Sequence, residues 1–166
     1  PMCGGGAGAV KATASTSLRG NYGPELSIDG DRTTAWCEGD SGMGEGSFVE
    51  LTWSTPHVVA GIEFMGGYAK RWDLLEANGR IKQVTFFADG QQVGTRSFAD
   101  PLASKPEGAD PKGAVSIWAA LTGPGTGDVP LTTLRMRIDE VYPGTKYKDT
   151  CVSEWTVHAF DPAAEE

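Results

Sequence analysis

The residues best suited to binding chemistry lie near the end of the chain, in the stretch 141–155, VYPGTKYKDTCVSEW. It combines a Pro-Gly turn with tyrosines, lysines and an aspartate. This composition suits a sugar, because an aromatic ring stacks on the apolar face of a pyranose while polar groups take its hydroxyls. The alternative is a rigid structural loop whose lysine and aspartate are braced against neighbouring strands. The candidate contacts are Tyr142, Lys146, Tyr147 and Asp149.

A second motif, IDGDRTTAWCEG at residues 28–39, has the composition of a tight cation loop. A glycine between two aspartates lets the backbone fold back, so that carboxylate, carbonyl and hydroxyl oxygens can converge on a hard ion such as Ca²⁺. The alternative is an Asx-turn, in which the aspartates accept bonds from nearby amides. The predicted calcium ligands are Asp29, Asp31, Thr34 and the distant Glu154.

The elements that must position these residues are strands. Alternating apolar patterns predict strands over 10–15, 47–55, 58–64, 81–88, 92–98, 115–121, 131–139 and 151–160. Asp89-Gly90 predicts a hairpin turn, since such turns need positive φ. At most one helical turn is expected, within 71–77. This spacing of about eight strands predicts an all-β sandwich or jelly roll.

The 166 residues predict one domain. We expect a flexible glycine-rich leader over 1–9, a folded domain over 10–160 and a solvated tail over 161–166. A net charge of −8 argues against nucleic acid and anionic membranes as partners. The sequence also lacks an apolar run as long as a membrane span.

Three cysteines are present, and the first, Cys3, is followed by three glycines. A cysteine before small residues is how many mature bacterial lipoproteins begin, so Cys3 is a candidate lipid anchor. The alternative is an incidental thiol in a flexible leader.

Several short motifs occur together in an order that resembles a known family. They are Thr34-Ala-Trp-Cys-Glu-Gly39, Gly42-x-Gly44-Glu45, Gly67-Tyr68, Asn78-x-Arg80-x-Lys82 and Tyr142-Pro-Gly-x-Lys-Tyr-x-Asp-Thr-Cys-x-Ser-Glu154. This set is similar to the NADase-type glycan-binding domain, a bacterial member of the discoidin, or galactose-binding-like, jelly rolls. The resemblance covers roughly residues 10–160. It implies a non-catalytic module that binds glycans or glycoconjugates, and it adds Tyr68, Asn78 and Arg80 as neighbouring contacts. The alternative for Arg80 is the outward face of a strand.

The resemblance also bears on the other two cysteines. In such a jelly roll the chain ends lie close together, so Cys37 could reach Cys151 and form a disulfide, leaving Cys3 unpaired. Two buried free thiols are the alternative. Export, and hence a secreted, periplasmic or cell-surface location, favours the bond.

An enzyme is not predicted. The chain has only two histidines, His57 and His158, and neither a Gly-x-Ser-x-Gly nucleophile elbow nor a zinc-ligand cluster. Ser153 is expected on the opposite strand face from Glu154, which argues against a nucleophile pair. The remaining alternative to a glycan module is a protein–protein interaction or structural β-sandwich of a secreted or lipid-anchored protein.

Overall fold

The computed structural model describes residues 10–104, 116–119 and 130–165, with residues 104, 116–119, 164 and 165 described by their backbone alone. The strands are β1 (Val10–Ala14), β2 (Trp36–Cys37), β3 (Phe48–Met65), β4 (Arg80–Ala88), β5 (Gln91–Ser97), β6 (Ser116–Ala119), β7 (Leu131–Tyr142), β8 (Cys151–Val152) and β9 (Glu154–Phe160). One α-helix, α1, spans Trp72–Ala77, and 3-10 turns span Pro24–Ser27, Pro101–Ser104 and Pro162–Glu165.

The strands form the predicted jelly-roll β-sandwich. The larger antiparallel sheet has the order β1-β3-β7-β4-β5. The second half of β3 leaves this sheet and pairs with both β6 and β9. A separate two-stranded ladder joins β2 to β8. The described fold is therefore mostly antiparallel β-structure with one short helix, as expected from the alternating patterns.

The structure corrects the predicted boundary in the first half of the chain: the strands expected over 47–55 and 58–64 are a single strand of 18 residues. The chain passes through Pro56 without turning back. The pairing of β3 with β7 shifts register between Thr52 and His57, where the strand leaves one sheet for the other. A proline is tolerated at such an irregularity because no ladder hydrogen bond needs its missing N–H.

The core lies between the sheets and follows the predicted alternation. Val49, Leu51 and Trp53 of β3 are at most 4% exposed, and Trp155 of β9 is fully buried. Each such large side chain contributes about 1.5–3 kcal/mol on burial.

The strand predicted over 151–160 is in fact two strands, since β8 pairs with β2 and β9 pairs with β3. The other described boundaries change little. The β4–β5 hairpin turns at Asp89 (φ 49°) and Gly90 (φ 84°), as predicted. Strand β7 runs on to Tyr142, so this residue ends a strand instead of opening a loop. The leader predicted over 1–9 lies outside the described residues. None of the helices in the described ranges is long and apolar enough to cross a membrane.

Candidate functional site

A disulfide between Cys37 and Cys151 ties the first motif to the last strand, as predicted. The two residues pair across β2 and β8, with Cα atoms 4.1 Å apart and 114 positions apart in sequence. Beside the disulfide, the Glu38 amide donates to the Thr150 carbonyl at 3.1 Å, and the Thr150 amide donates to Glu38 Oε2 at 2.8 Å. The two motif stretches are thus joined covalently and by reciprocal hydrogen bonds.

The loop 143–149 is held against the end of helix α1. The last carbonyls of a helix have no intrahelical partner, and here the loop supplies donors. Thr145 N donates to Glu76 O at 2.9 Å, and Tyr147 N donates to Ala77 O at 2.8 Å. Gly144 fits because a Cβ at this position would collide with the Ala77 carbonyl. The short helix therefore fixes the backbone that carries Tyr147.

Disulfide, helix and loop enclose a pocket of ≈ 300 Å³, here called the tyrosine pocket. Its wall is apolar and aromatic, with a few polar groups, as in small-ligand sites generally. The lining residues are Leu18, Tyr22, Cys37, Tyr68, Leu74, Asn78, Tyr147 and Asp149.

Four of the seven predicted glycan contacts meet in this pocket: Tyr68, Asn78, Tyr147 and Asp149. Tyr147 is 43% exposed, an unusual state for an aromatic side chain whose backbone is so firmly held. Tyr68 meets Tyr22 edge to face, with ring centroids 6.5 Å apart and planes at 84°. Burial raises the pKa of the Tyr68 hydroxyl, and Tyr22 adds to the rise. The pocket thus presents ordered aromatic surfaces.

The other three predicted contacts do not line the pocket. Lys146 is exposed, and its Nζ lies 5.2 Å from the Tyr147 ring centroid. Tyr142 donates its hydroxyl to Phe98 O at 2.6 Å. Arg80 is 5% exposed and forms an ion pair with Asp100 at 2.8 Å. The guanidinium thus points into the protein, neither toward the pocket nor on the outward strand face given as its alternative.

Three lining residues were missed from the sequence: Leu18, Tyr22 and Leu74. Tyr22 could have been found, since it lies in a turn-rich stretch, GNYGPE at 20–25, of the same character as the later loop. Leu18 and Leu74 carry no comparable signal, because an apolar residue in a loop or a short helix ordinarily packs into the core.

A buried carboxyl lies behind the disulfide. Glu38 is fully buried, and burial raises its pKa to about 6 even though the amides of Thr150 and Asp40 donate to it. Asp149 and Asp40 add repulsion in the same direction. The Asp149 carboxylate in the pocket and the Glu38 carboxyl are therefore close enough to interact.

The loop predicted to bind calcium folds into a tight turn held by its own side chains. Asp29 Oδ1 accepts the Asp31 amide at 3.0 Å, and Asp29 Oδ2 accepts the Thr34 hydroxyl at 2.5 Å. That hydroxyl lies 2.9 Å from Asp31 O. Glu154 Oε1 accepts the Gly30 amide at 3.0 Å from the other end of the chain. All four predicted ligands are thus brought into one neighbourhood, and the Asx-turn given as the alternative is present as well.

The donor set of this loop suits a hard cation in type, because every group is an oxygen. Burial raises the pKa of Glu154 to about 7, and repulsion from Asp29 and Asp31 adds to the rise. A bound cation would relieve that repulsion. Within the described residues, however, no three acidic, histidine or cysteine side chains form a metal-holding group. An ion here would depend on carbonyl and hydroxyl oxygens as well.

The residues that could suggest an enzyme serve other roles in the fold. Ser153 is buried, and its hydroxyl accepts the Ala69 amide at 2.8 Å. His158 Nε2 lies 2.8 Å from Glu63 Oε2 on the neighbouring strand. His57 is buried and stacks on Trp53 with centroids 5.6 Å apart. Among the described residues, neither histidine forms a hydrogen bond with Ser153.

The family model of the NAD glycohydrolase translocation F5/8 type C domain matches residues 2–158. The chain belongs to this family, in agreement with the resemblance carried by the motifs. No curated protein matches the chain significantly.

Solved structures place the fold among carbohydrate-binding modules (CBMs) and F5/8 type C domains. CBM32-3 from a family 31 glycoside hydrolase of Clostridium perfringens superposes with a TM-score of 0.65 at 13% identity, covering 91% of each chain. The family 32 CBM of NanJ from the same organism, in complex with galactose, has a TM-score of 0.61 at 14% identity, covering 89% of this chain and 92% of that one. An F5/8 type C domain from Bacteroides fragilis has a TM-score of 0.57 at 16% identity, covering 90% of each.

A family 89 glycoside hydrolase of Clostridium perfringens also matches, with a TM-score of 0.60 at 16% identity. The match covers 93% of this chain but only 14% of that enzyme. The similarity is therefore to a small part of a much longer protein.

Proposed function

We propose that this domain is a non-catalytic glycan-binding module that binds a sugar in the tyrosine pocket. The observation that carries the proposal is the meeting of Tyr68, Asn78, Tyr147 and Asp149 in one pocket, although up to 81 positions separate them in sequence. Membership of the F5/8 type C family and the fold shared with a galactose-bound CBM support it.

In this proposal Tyr147 stacks on the apolar face of the sugar ring. Asn78 and Asp149 accept bonds from its hydroxyls, and Lys146 donates from the rim. The single-sugar affinity is modest, because each hydroxyl must be stripped of water before it is bound again. Several copies on one particle then give useful avidity.

We further propose that the loop of Asp29, Gly30 and Asp31, here called the DGD loop, holds a structural Ca²⁺. Its ligands would be the Asp29 carboxylate, the Asp31 carbonyl, the Thr34 hydroxyl and Glu154. The convergence of these oxygens and the raised pKa of Glu154 support this proposal. The ion would neutralise the carboxylates of the loop. Because the proposed sugar contacts lie on other residues, the ion would raise the stability of the domain and would not bind the sugar.

The domain is proposed to act outside the cytoplasm, since disulfides persist in oxidising compartments and one joins Cys37 to Cys151. Lipid attachment at Cys3, which lies outside the described residues, stays a prediction; mass spectrometry of the membrane fraction tests it.

A glycan array on a multivalent form of the domain, with and without calcium, tests the function. Binding of a defined set of sugars, lost on Tyr147→Ala at unchanged melting temperature, is the expected result. If no glycan binds, the alternative hypothesis of a protein–protein interaction or structural β-sandwich domain replaces the glycan-binding proposal.

A further inference from the structure

The Asp149 carboxylate has no hydrogen bond or ion pair within the described part of the chain. This sets it apart from Asp29, Asp89, Asp100 and Asp139, each of which meets a described partner. Asp149 is half-buried in the wall of the tyrosine pocket. A half-buried carboxylate without a partner is an acceptor available to a ligand.

The other fixed polar group of the pocket, Asn78, can also accept a hydrogen bond. Asn78 donates one N–H of Nδ2 to Leu74 O at 3.0 Å, which leaves Oδ1 to accept and the second N–H to donate. The phenol hydroxyls of Tyr22, Tyr68 and Tyr147 can donate or accept, but they carry no charge. Asp149, when ionised, is therefore the one lining side chain that can only accept, so it favours a ligand with a hydrogen-bond donor.

Two arginines are engaged elsewhere, and Lys148, the residue before Asp149, is exposed and is not among the lining residues. Arg80 pairs with Asp100, and Arg71 pairs with Asp73. Lys146 Nζ lies over the Tyr147 ring and is absent from the lining residues. Asp149 is thus the one charged residue among the described lining residues.

Two further features make the pocket negative. Glu38 lies behind the disulfide, near enough to Asp149 for the two carboxyls to repel each other. The whole chain carries a net charge of −8. Aromatic faces also attract cations through their quadrupoles, and three tyrosines line this pocket.

We propose that the tyrosine pocket selects sugars by charge: it prefers a hexosamine with a free, protonated amino group and excludes a sugar that carries a carboxylate. The proposal rests on the glycan-binding function above. The ammonium donates to Asp149 while the ring stacks on tyrosine. N-acetylation removes the charge, and a uronic acid brings a carboxylate against Asp149.

Six monosaccharides test the proposal. Three have the glucose configuration: glucosamine, N-acetylglucosamine and glucuronic acid. Three have the galactose configuration: galactosamine, N-acetylgalactosamine and galacturonic acid. Binding is measured by NMR titration on the whole domain, at a pH where the amino group is protonated. In the configuration that binds, the amino sugar is expected to bind about tenfold more tightly than its N-acetyl form, as for one charge-assisted hydrogen bond. The uronic acid shows no binding.

Asp149→Asn is the decisive variant, since it keeps the shape of the side chain and removes the charge. It is expected to abolish the amino-sugar preference while neutral sugars still bind. Glu140→Gln is the matched control, because Glu140 is exposed, pairs with Lys82 and lies outside the pocket lining. The control should keep the preference.

The salt dependence of binding shows whether the preference for the amino sugar is electrostatic. Raising the salt concentration should narrow the gap between the amino and N-acetyl sugars, because salt screens partly exposed charges. A uronic acid that binds as well as the amino sugar, or a preference unchanged in Asp149→Asn, overturns the charge selection but leaves glycan binding intact. Failure of every sugar, with no hit on the array, overturns both proposals.

Discussion

Arg80 and Asp100 form a two-pronged ion pair, with Nε–Oδ1 at 2.8 Å and Nη2–Oδ2 at 3.1 Å. Arg80 Nη1 also donates to the carbonyls of Leu75 and Asn78, both at 3.2 Å. One guanidinium thus joins the start of β4 to helix α1 and to the segment after β5. Since the helix carries loop 143–149, Arg80 supports the pocket from behind.

Arg80→Ala should lower the free energy of unfolding by about 3–5 kcal/mol, because it leaves Asp100 and two carbonyls without their donor. Urea unfolding measures the loss. Arg135→Ala is the control, since Arg135 pairs with Glu50 on a more exposed sheet face and should cost about 1 kcal/mol or less. If both variants lost the same free energy of unfolding, the buried Arg80–Asp100 pair would contribute no more to stability than the more exposed pair.

Tyr147→Ala should abolish glycan binding while changing the melting temperature little, since the ring is 43% exposed and its backbone anchors remain. Phe160→Ala is the matched control, because Phe160 is 41% exposed at the far end of β9. It should bind glycans as the parent does. A variant of Tyr147 that binds normally would move the sugar away from this residue.

Stability should fall as pH rises from about 4.5 to about 7, through the carboxyl of Glu154. The pKa of this group is about 7 in the folded chain, against an ordinary value of 4.5, so the folded state holds the proton more tightly. The advantage is complete below the ordinary value and is lost as pH passes the folded one, which amounts to about 3 kcal/mol. Urea midpoints across this pH range measure it.

Glu154→Gln should remove the Glu154 part of that fall and leave a smaller part from Glu38, whose pKa is also raised, to about 6. Glu45→Gln, at an exposed carboxyl, should leave the profile nearly unchanged. Calcium gives a second readout on the same variant. If the ion binds the DGD loop, it should raise the melting temperature of the parent at pH 7.5 and not that of Glu154→Gln. A chelator without effect on the parent would leave these residues as turn-formers alone.

Reduction of Cys37–Cys151 should cost about 4–5 kcal/mol, the chain-entropy value for a loop of this length. It should also weaken glycan binding, because Cys37 is part of the pocket wall. A thiol count in the denatured, unreduced protein should give one, from Cys3. Cys37→Ser with Cys151→Ser reproduces the loss without a reductant. A count of three thiols would contradict the bond.

The fold could be predicted further than the site. The alternation of apolar and polar residues in β3 and β7 and the Asp89-Gly90 turn are local patterns. They can therefore be recognised in the sequence without knowledge of tertiary contacts. The continuity of β3 through Pro56 could not be predicted, because proline ordinarily ends a strand. Whether it does so depends on the register of a partner more than 70 residues away.

The site residues also differ in whether local sequence or tertiary contacts determine their role. Residue types pointed to Tyr147 and Asp149 because aromatic and charged residues in a turn-rich loop seldom serve the core. Arg80 has the right chemistry for a sugar, but its direction is set by Asp100, twenty residues later, and no local pattern encodes that pairing. Tertiary contacts, which decide where a long side chain points, are the part that the sequence does not state.

The bond between Cys37 and Cys151 also changes what a protease can do to this domain. It closes residues 37–151 into a covalent ring, in which most of the β-sandwich is contained. A single cut anywhere inside the ring opens it but releases no fragment, so the sheets and the pocket wall stay tethered. Two cuts are needed before any piece of the ring can leave.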